Sequence, residues 1–164
     1  MRLAWAALLH DVGKIGISER IISKPGRLSR EEFDIMKDHP AHGIRILEPI
    51  GFAPDIINAI YQHHERYDGK GYPQGLYGVR ITLAARVLNV ADTIDAMVSE
   101  RPYRGTISSQ EVVQELERES GSQFDPKIAE SARHLIEKGL LKLGMHTYYQ
   151  YAAGTGADEE EKSL

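Results

Sequence analysis

Apolar residues along this chain recur at three- and four-residue spacing in most segments, and they alternate almost nowhere. That pattern predicts helices rather than strands. Residues 3–11 form an apolar opening stretch. Ser29-Arg30-Glu31-Glu32 has the Ser-x-x-Glu form of a capping box. It predicts a helix carrying Phe33, Met36 and, beyond Pro40, Ile44 and Leu47. Pro40 should kink or interrupt that helix, because it lacks an amide hydrogen and crowds the preceding turn. Asp55 to His64 read as a short helix with Ile56, Ile57 and Ile60 on its apolar face. The clearest helix runs from about Ile81 to Val98, where Ala84, Val87, Leu88, Ala91, Ile94 and Val98 keep helical spacing. A second capping box, Ser108 to Glu111, opens a helix bearing Val112, Val113 and Leu116. Asp125-Pro126 reads as an N-cap and first-turn proline, starting a last helix to about Lys138. Residues 66–79, RYDGKGYPQGLYGV, hold four glycines and a proline and read as a loop. No repeat or strand pattern stands out, so the expected class is all-α, a helical bundle. The acidic, small-residue stretch 152–164 reads as a disordered tail.

Composition narrows the function classes. The 164 residues are 41% hydrophobic and 27% charged, enough for one domain with its own core. No apolar run approaches the roughly 18 residues of a membrane span. The N-terminus is too short in its apolar part and too soon charged for a signal peptide. With no cysteine, disulfides and thiolate metal sites are excluded, and a cytoplasmic location fits. A net charge of −4 argues against broad binding to nucleic-acid duplexes. A small anionic ligand stays open, because a metal site would supply local positive charge.

Several polar residues sit where a bundle should be greasy. His10-Asp11 ends the stretch Ala6-Ala7-Leu8-Leu9. His39 lies beyond the first capped turns, and His63-His64 end the isoleucine-bearing helix. Asp92 interrupts Val90-Ala91-Thr93-Ile94. Taken singly, His39 reads as a surface histidine and Asp92 as a salt-bridge partner. Together they ask for a common reason, since burying such groups is costly unless they are paired or bind metal. Imidazole with carboxylate suits iron, manganese or zinc. Adjacent helical residues project about 100° apart, so each doublet can serve two neighbouring ions. Six candidate ligands on four segments suit a two-metal site for in-line attack on phosphorus.

The segment HHERYDGKGYPQGL, residues 63–76, resembles the signature of the HD-GYP family, a branch of the HD metal-dependent phosphohydrolases. LLHDVGKIGI (8–17), KPGRLSREEF…MKDHPAHGIRIL (24–47), VADTIDAMVSERPYR (90–104) and GSQFDP (121–126) agree with it in order and spacing. The resemblance implies an HD-domain-like helical bundle with a Gly-rich GYP loop, spanning 1–147, followed by an acidic tail at 148–164. It implies hydrolysis of cyclic di-GMP to pGpG or GMP by two or three divalent metals, iron or manganese. The ligands would be His10, Asp11, His39, His63, His64 and Asp92, the register selecting His39 over His42. Asp11 and Lys14 would act in catalysis, Lys14 contacting phosphate or the leaving oxygen. Arg101 and Arg104 would hold the substrate's phosphates, for which planar guanidinium donors are well shaped. Asp68, Gly69, Gly71, Tyr72 and Pro73 belong to the loop, read as structural first and as a surface for signalling partners second. Asp95 is a candidate for orienting a ligand histidine. Phe124-Asp125-Pro126 reads as a helix start only, and His134 and His146 as solvent-facing.

The family's helical segment ahead of the HD doublet carries a further histidine and, in three-metal members, a glutamate. The chain begins nine residues before His10, so it reads as truncated. One metal position is then expected to be under-coordinated, and uncovered apolar surface to favour self-association. Two other functions compete with cyclic di-GMP hydrolysis. One is action on another cyclic dinucleotide or nucleotide. The other is a catalytically weak signalling module that binds ligand or protein.

Overall fold

The computed structural model describes residues 2–99, 108–141 and 143, so Arg101, Arg104, His146 and the stretch 148–164 lie outside the described residues. Among the described residues eight α-helices follow one another: α1 (Arg2–Leu9), α2 (Glu19–Ile22), α3 (Arg30–Met36), α4 (His39–Leu47), α5 (Pro54–Gln62), α6 (Leu83–Val98), α7 (Ser109–Arg118) and α8 (Pro126–Glu137). Short 3-10 turns occupy Val12–Gly16, Glu48–Ile50 and Gly78–Arg80. Extended pairing among the described residues is limited to two isolated bridges, Asp68 with Tyr77 and Ser120 with Phe124. The all-α expectation is met.

The start signals act as their chemistry requires. Ser29 Oγ accepts from the Glu32 amide at 3.2 Å while Glu32 accepts from the Ser29 amide at 2.7 Å. Ser108 and Glu111 repeat that reciprocal pair at the head of α7. Thr82 Oγ1 caps α6 through the Ala85 amide, and Asp125 caps α8 through the Lys127 amide. Each such cap satisfies backbone donors that the helix itself cannot. Pro40 does interrupt its helix. α3 stops at Met36, and α4 starts afresh at His39 with the proline in its first turn, where a missing amide hydrogen costs nothing.

Among the described residues two apolar clusters make the core. Ala6, Leu47, Ile56, Ala59, Ile60 and Leu88 join α1, α4, α5 and the first half of α6. Val90, Ile94, Val112, Leu116, Phe124, Ala129 and Ile136 join the second half of α6 to α7 and α8. Fully burying such a side chain contributes about 1.5–3 kcal/mol. Helix α6 belongs to both clusters and is the spine of the fold. An ion pair between Arg86 and Asp125 ties its N-terminal end to the head of α8. Asp125 is therefore more than a helix start, and Phe124 beside it is a core residue, 1% exposed.

Two local features depart from the helical pattern. Gly13, a glycine following an apolar stretch, is not a left-handed cap on α1, since that helix stops at Leu9. It is buried in the following 3-10 turn, where a Cβ would collide with the His39 carbonyl and the Gly43 amide. Its lack of a side chain lets the turn lie directly on α4. The chain from His10 to Asp11 is likewise not helical; it is the turn that links α1 to that segment. On the outside of α1, Leu3, Trp5 and Leu8 are exposed, as is Ile15 beyond it.

Candidate metal centre

The six residues singled out from the sequence converge, and most of them do so from helix ends. His10 and Asp11 follow α1, His39 is the first residue of α4, and His63 caps the end of α5, with His64 just beyond. Asp92 alone projects from a helix interior, that of α6. His10 Nε2 lies 3.4 Å from both Asp11 Oδ2 and Asp92 Oδ1. Asp11 Oδ1 is 3.5 Å from His39 Nε2, which in turn is 3.4 Å from His63 Nε2. The His63 and His64 rings are 3.9 Å apart, centre to centre.

The backbone fixes how three of these histidines present themselves. His10, His39 and His63 donate through Nδ1 to the carbonyls of Ala7 (2.7 Å), Met36 (2.8 Å) and Ile60 (2.6 Å). Each acceptor lies three residues back, at the end of the preceding turn. A carbonyl only accepts, so each Nδ1 carries the proton and each Nε2 faces inward. Burial lowers the pKa of His39, and it pushes His63 down to about 4 and His64 lower still. These rings are therefore neutral near pH 7. The facing Nε2 atoms of His39 and His63 then offer two lone pairs to one another with no proton to share. A divalent cation beside them turns that repulsion into coordination. His39, His63 and His64 each have a ligand atom within 4.8 Å of the others'. The donor set thus fits a metal ion, with the Nδ1 contacts acting as the outer partners that orient metal-binding histidines.

The other side of the site is charged and half open to solvent. Burial disfavours a charge on His10, but the carboxylates of Asp11 and Asp92 outweigh it and push its pKa up to about 10. Burial disfavours a charge on Asp11 as well, yet His10 and Lys14 hold its pKa well below the ordinary carboxylate range. Asp92 is also lowered, chiefly by His10. Lys14 Nζ donates to Asp11 Oδ2 at 2.6 Å, and its side chain stays 40% exposed. A cation arriving here would meet two ionised carboxylates and would displace the His10 proton.

The glycine-rich loop packs directly against this centre. Tyr72 stacks on the His64 ring with centroids 4.8 Å apart, and its amide donates to the His64 carbonyl at 3.2 Å. Burial and the negative Asp11 and Asp92 raise the Tyr72 pKa, so its phenol stays neutral. The Tyr72-Pro73 peptide bond is cis. Gly71 presses on the Glu65–Arg66 backbone so closely that a Cβ would overlap it. Asp68 pairs with Arg66 at 3.0 Å and caps the turn through the Lys70 amide. Gly69 lies close against Tyr77, at a φ of +79°. Pro73 is exposed.

Two residues of this neighbourhood escaped the sequence reading. Glu65 is 2% exposed. Its carboxylate accepts from the Gln74 and Leu76 amides at 2.6 and 2.9 Å, latching the loop. Asn89, buried on α6, donates to the carbonyls of His63 and Glu65. Of the remaining candidates, Asp95 is exposed, and among the described residues its carboxylate makes no hydrogen bond to the histidines. His134 is exposed as expected, and His42 is half-buried against Gly16.

Comparison with known proteins gives a consistent picture. The HD domain family profile matches residues 1–128. A protein of Thermotoga maritima named cyclic di-GMP phosphodiesterase is 44% identical over 131 residues, covering 79% of this chain and 36% of that protein. A Vibrio cholerae protein named 3'3'-cGAMP-specific phosphodiesterase 3 is 37% identical over 125 residues, covering 76% of this chain and 27% of its own length. The chain thus spans about a third of the length of these curated relatives. The crystal structure of a cyclic GMP-AMP-specific phosphodiesterase of V. cholerae (V-cGAP3) superposes with a TM-score of 0.67 at 20% identity, over 93% of this chain and 42% of that one. That likeness speaks for the fold. No helix among the described residues is long and apolar enough to cross a membrane. With its profile match over most of the chain and its His-Asp doublet, histidine pair and glycine-rich loop in family order, the chain belongs to the HD domain family, in its HD-GYP branch.

Proposed function

We propose that this chain is a cytoplasmic, metal-dependent phosphodiesterase that hydrolyses cyclic di-GMP to pGpG or on to GMP. The observation that carries the proposal is the facing pair of neutral His39 and His63 Nε2 atoms, flanked by ionised Asp11 and Asp92. His10, Asp11, His39, His63, His64 and Asp92 would hold two or three divalent ions, iron or manganese. Bound ions lower the pKa of water and neutralise charge developing on a phosphoryl group. The chain's own groups supply the rest. The half-exposed Lys14, paired to Asp11, places a positive charge at the rim, within reach of a phosphate or leaving oxygen. Arg101 and Arg104, outside the described residues, would clamp phosphates through bidentate donors. His64 and Tyr72, stacked together, would give the site a flat wall. Exposed Tyr77 and Val79 at the end of the loop support a second, protein-facing role for it. We assign the catalytic domain to 1–147, with 148–164 as an appended tail.

The test is turnover of cyclic di-GMP by the chain purified anaerobically and loaded with iron or manganese. Linear pGpG or GMP should form with the parent chain, and Asp11→Ala should abolish it. A folded, metal-loaded chain that forms neither product overturns the proposal. The relative named for 3'3'-cGAMP supports one alternative, the mixed cyclic dinucleotide. Faster turnover of 3'3'-cGAMP than of cyclic di-GMP in the same assay would select it.

A further inference from the structure

We propose that Asn89 is a positioning residue that fixes the His63-His64 pair relative to Asp92. The inference rests on the metal-centre reading above and deepens it.

α5 ends at Gln62, so the carbonyls of His63, His64 and Glu65 have no helical partner ahead of them. Buried carbonyls need donors from elsewhere. The Tyr72 amide serves His64. The other two are served by one side chain: Asn89 Nδ2 donates to His63 O at 2.9 Å and to Glu65 O at 3.2 Å. Both protons of one amide group thus span the doublet, gripping the residue on each side of His64.

The orientation of that amide follows from its partners. Turned over, its oxygen would face two carbonyl oxygens. As it stands, Asn89 Oδ1 is buried without a hydrogen-bond partner among the described residues. An orphaned buried acceptor is destabilising. An apolar side chain on this face of α6, between Leu88 and Val90, would carry no such cost. The clamp on the doublet is what the amide provides in exchange.

Its place on the helix gives the clamp its consequence. Asn89 and Asp92 are three residues apart on α6, one turn on the same side. One helix therefore delivers a carboxylate to the centre and, a turn earlier, holds the backbone that presents two histidines. The His63 ring is tied to α5 by its own Nδ1 contact with Ile60. Asn89 ties the same residue to α6, so the separation of His63 from Asp92 is set from both helices.

The test compares cobalt(II) binding, read as affinity and as the visible absorption of the bound ion, in the parent chain, Asn89→Ala and Leu116→Ala. Leu116 is a core residue, 1% exposed, in the cluster formed with α7 and α8. It controls for lost stability alone. Partners that orient metal ligands typically carry about 10–100-fold in affinity. Asn89→Ala should weaken cobalt binding by that factor and alter the absorption bands, while Leu116→Ala lowers the melting temperature and leaves both unchanged. Asn89→Ser retains one donor and should fall between the parent and Asn89→Ala, which keeps the test open if the alanine variant does not fold. Parent-like affinity and bands in a folded Asn89→Ala chain overturn the positioning role while leaving the metal centre intact. Failure of the parent chain itself to bind cobalt overturns the metal-centre reading, and this inference with it.

Discussion

The two halves of the candidate centre are built on opposite principles. On one side, His39 and His63 are each 1% exposed, neutral, and fixed through Nδ1 to the backbone. On the other, His10, Asp11, Asp92 and Lys14 form a chain of charges reaching solvent, with Asp11 37% and Lys14 40% exposed at the side chain. The buried half has geometry without charge. The open half adds charge, with His10 held to the Ala7 carbonyl like the other two rings and lying 3.4 Å from both Asp11 and Asp92. Such a division suits a site that must hold cations firmly and still admit an anionic substrate from one side. On the proposed function, the buried histidines would set cation affinity and the open half would set reactivity.

The hardest blow to the comparison is His63→Ala, which removes the ring at the centre of the buried half. Cation affinity should fall beyond the roughly 10–100-fold attached to outer partners, and turnover should disappear with it. Titration calorimetry with manganese reads the first quantity. Retained affinity would show that the buried half does not carry binding. Lys14→Ala should act differently. Turnover should drop by about 10²–10³, the scale of losing one charge-stabilising donor, while cation affinity holds or rises as Asp11 loses its competitor. Equal losses in both would erase the distinction between the halves.

Chelation tests the buried half from the side of stability. Removing metal leaves His39 and His63 Nε2 facing one another. Restoring it at a hundred times its dissociation constant should stabilise the fold by about 2.7 kcal/mol, seen as a rise in melting temperature. Smallest at the site, and useful for that reason, is Leu116→Ala. It should cost about 2–5 kcal/mol of stability and leave turnover per folded molecule unaltered. A loss of turnover there would couple the α7–α8 cluster to the centre.

Much of this was legible in the sequence because helices advertise themselves. Two capping boxes, a proline and the spacing of α6 locate most elements, and the helices end within a few residues of where periodicity places them. The ligand candidates were visible because a histidine or carboxylate interrupting an apolar run has few ordinary explanations. Their presentation was not visible. The doublets look helical by pattern, yet they lie past helix ends, where the backbone turns and Nδ1 can reach a carbonyl three residues back. Gly13 looks like a helix stop but is a contact with α4 that periodicity cannot reach, because its reason is the His39 and Gly43 backbone across the interface. Asn89 and Glu65 were missed on similar grounds. A lone asparagine on an apolar helix carries no periodic signal, and a glutamate after two histidines looks like a surface charge until the loop folds back over it. The α2 turn is four residues long and too short for any pattern.

The most direct measurement is a crystal structure of the manganese-soaked protein with anomalous scattering collected at the manganese edge. An anomalous peak is expected within bonding distance of His39 Nε2 and His63 Nε2, with the Asp11 and Asp92 carboxylates turned toward the same cluster. A well-ordered site with no peak between those two imidazoles, or with manganese bound only elsewhere on the surface, would contradict it.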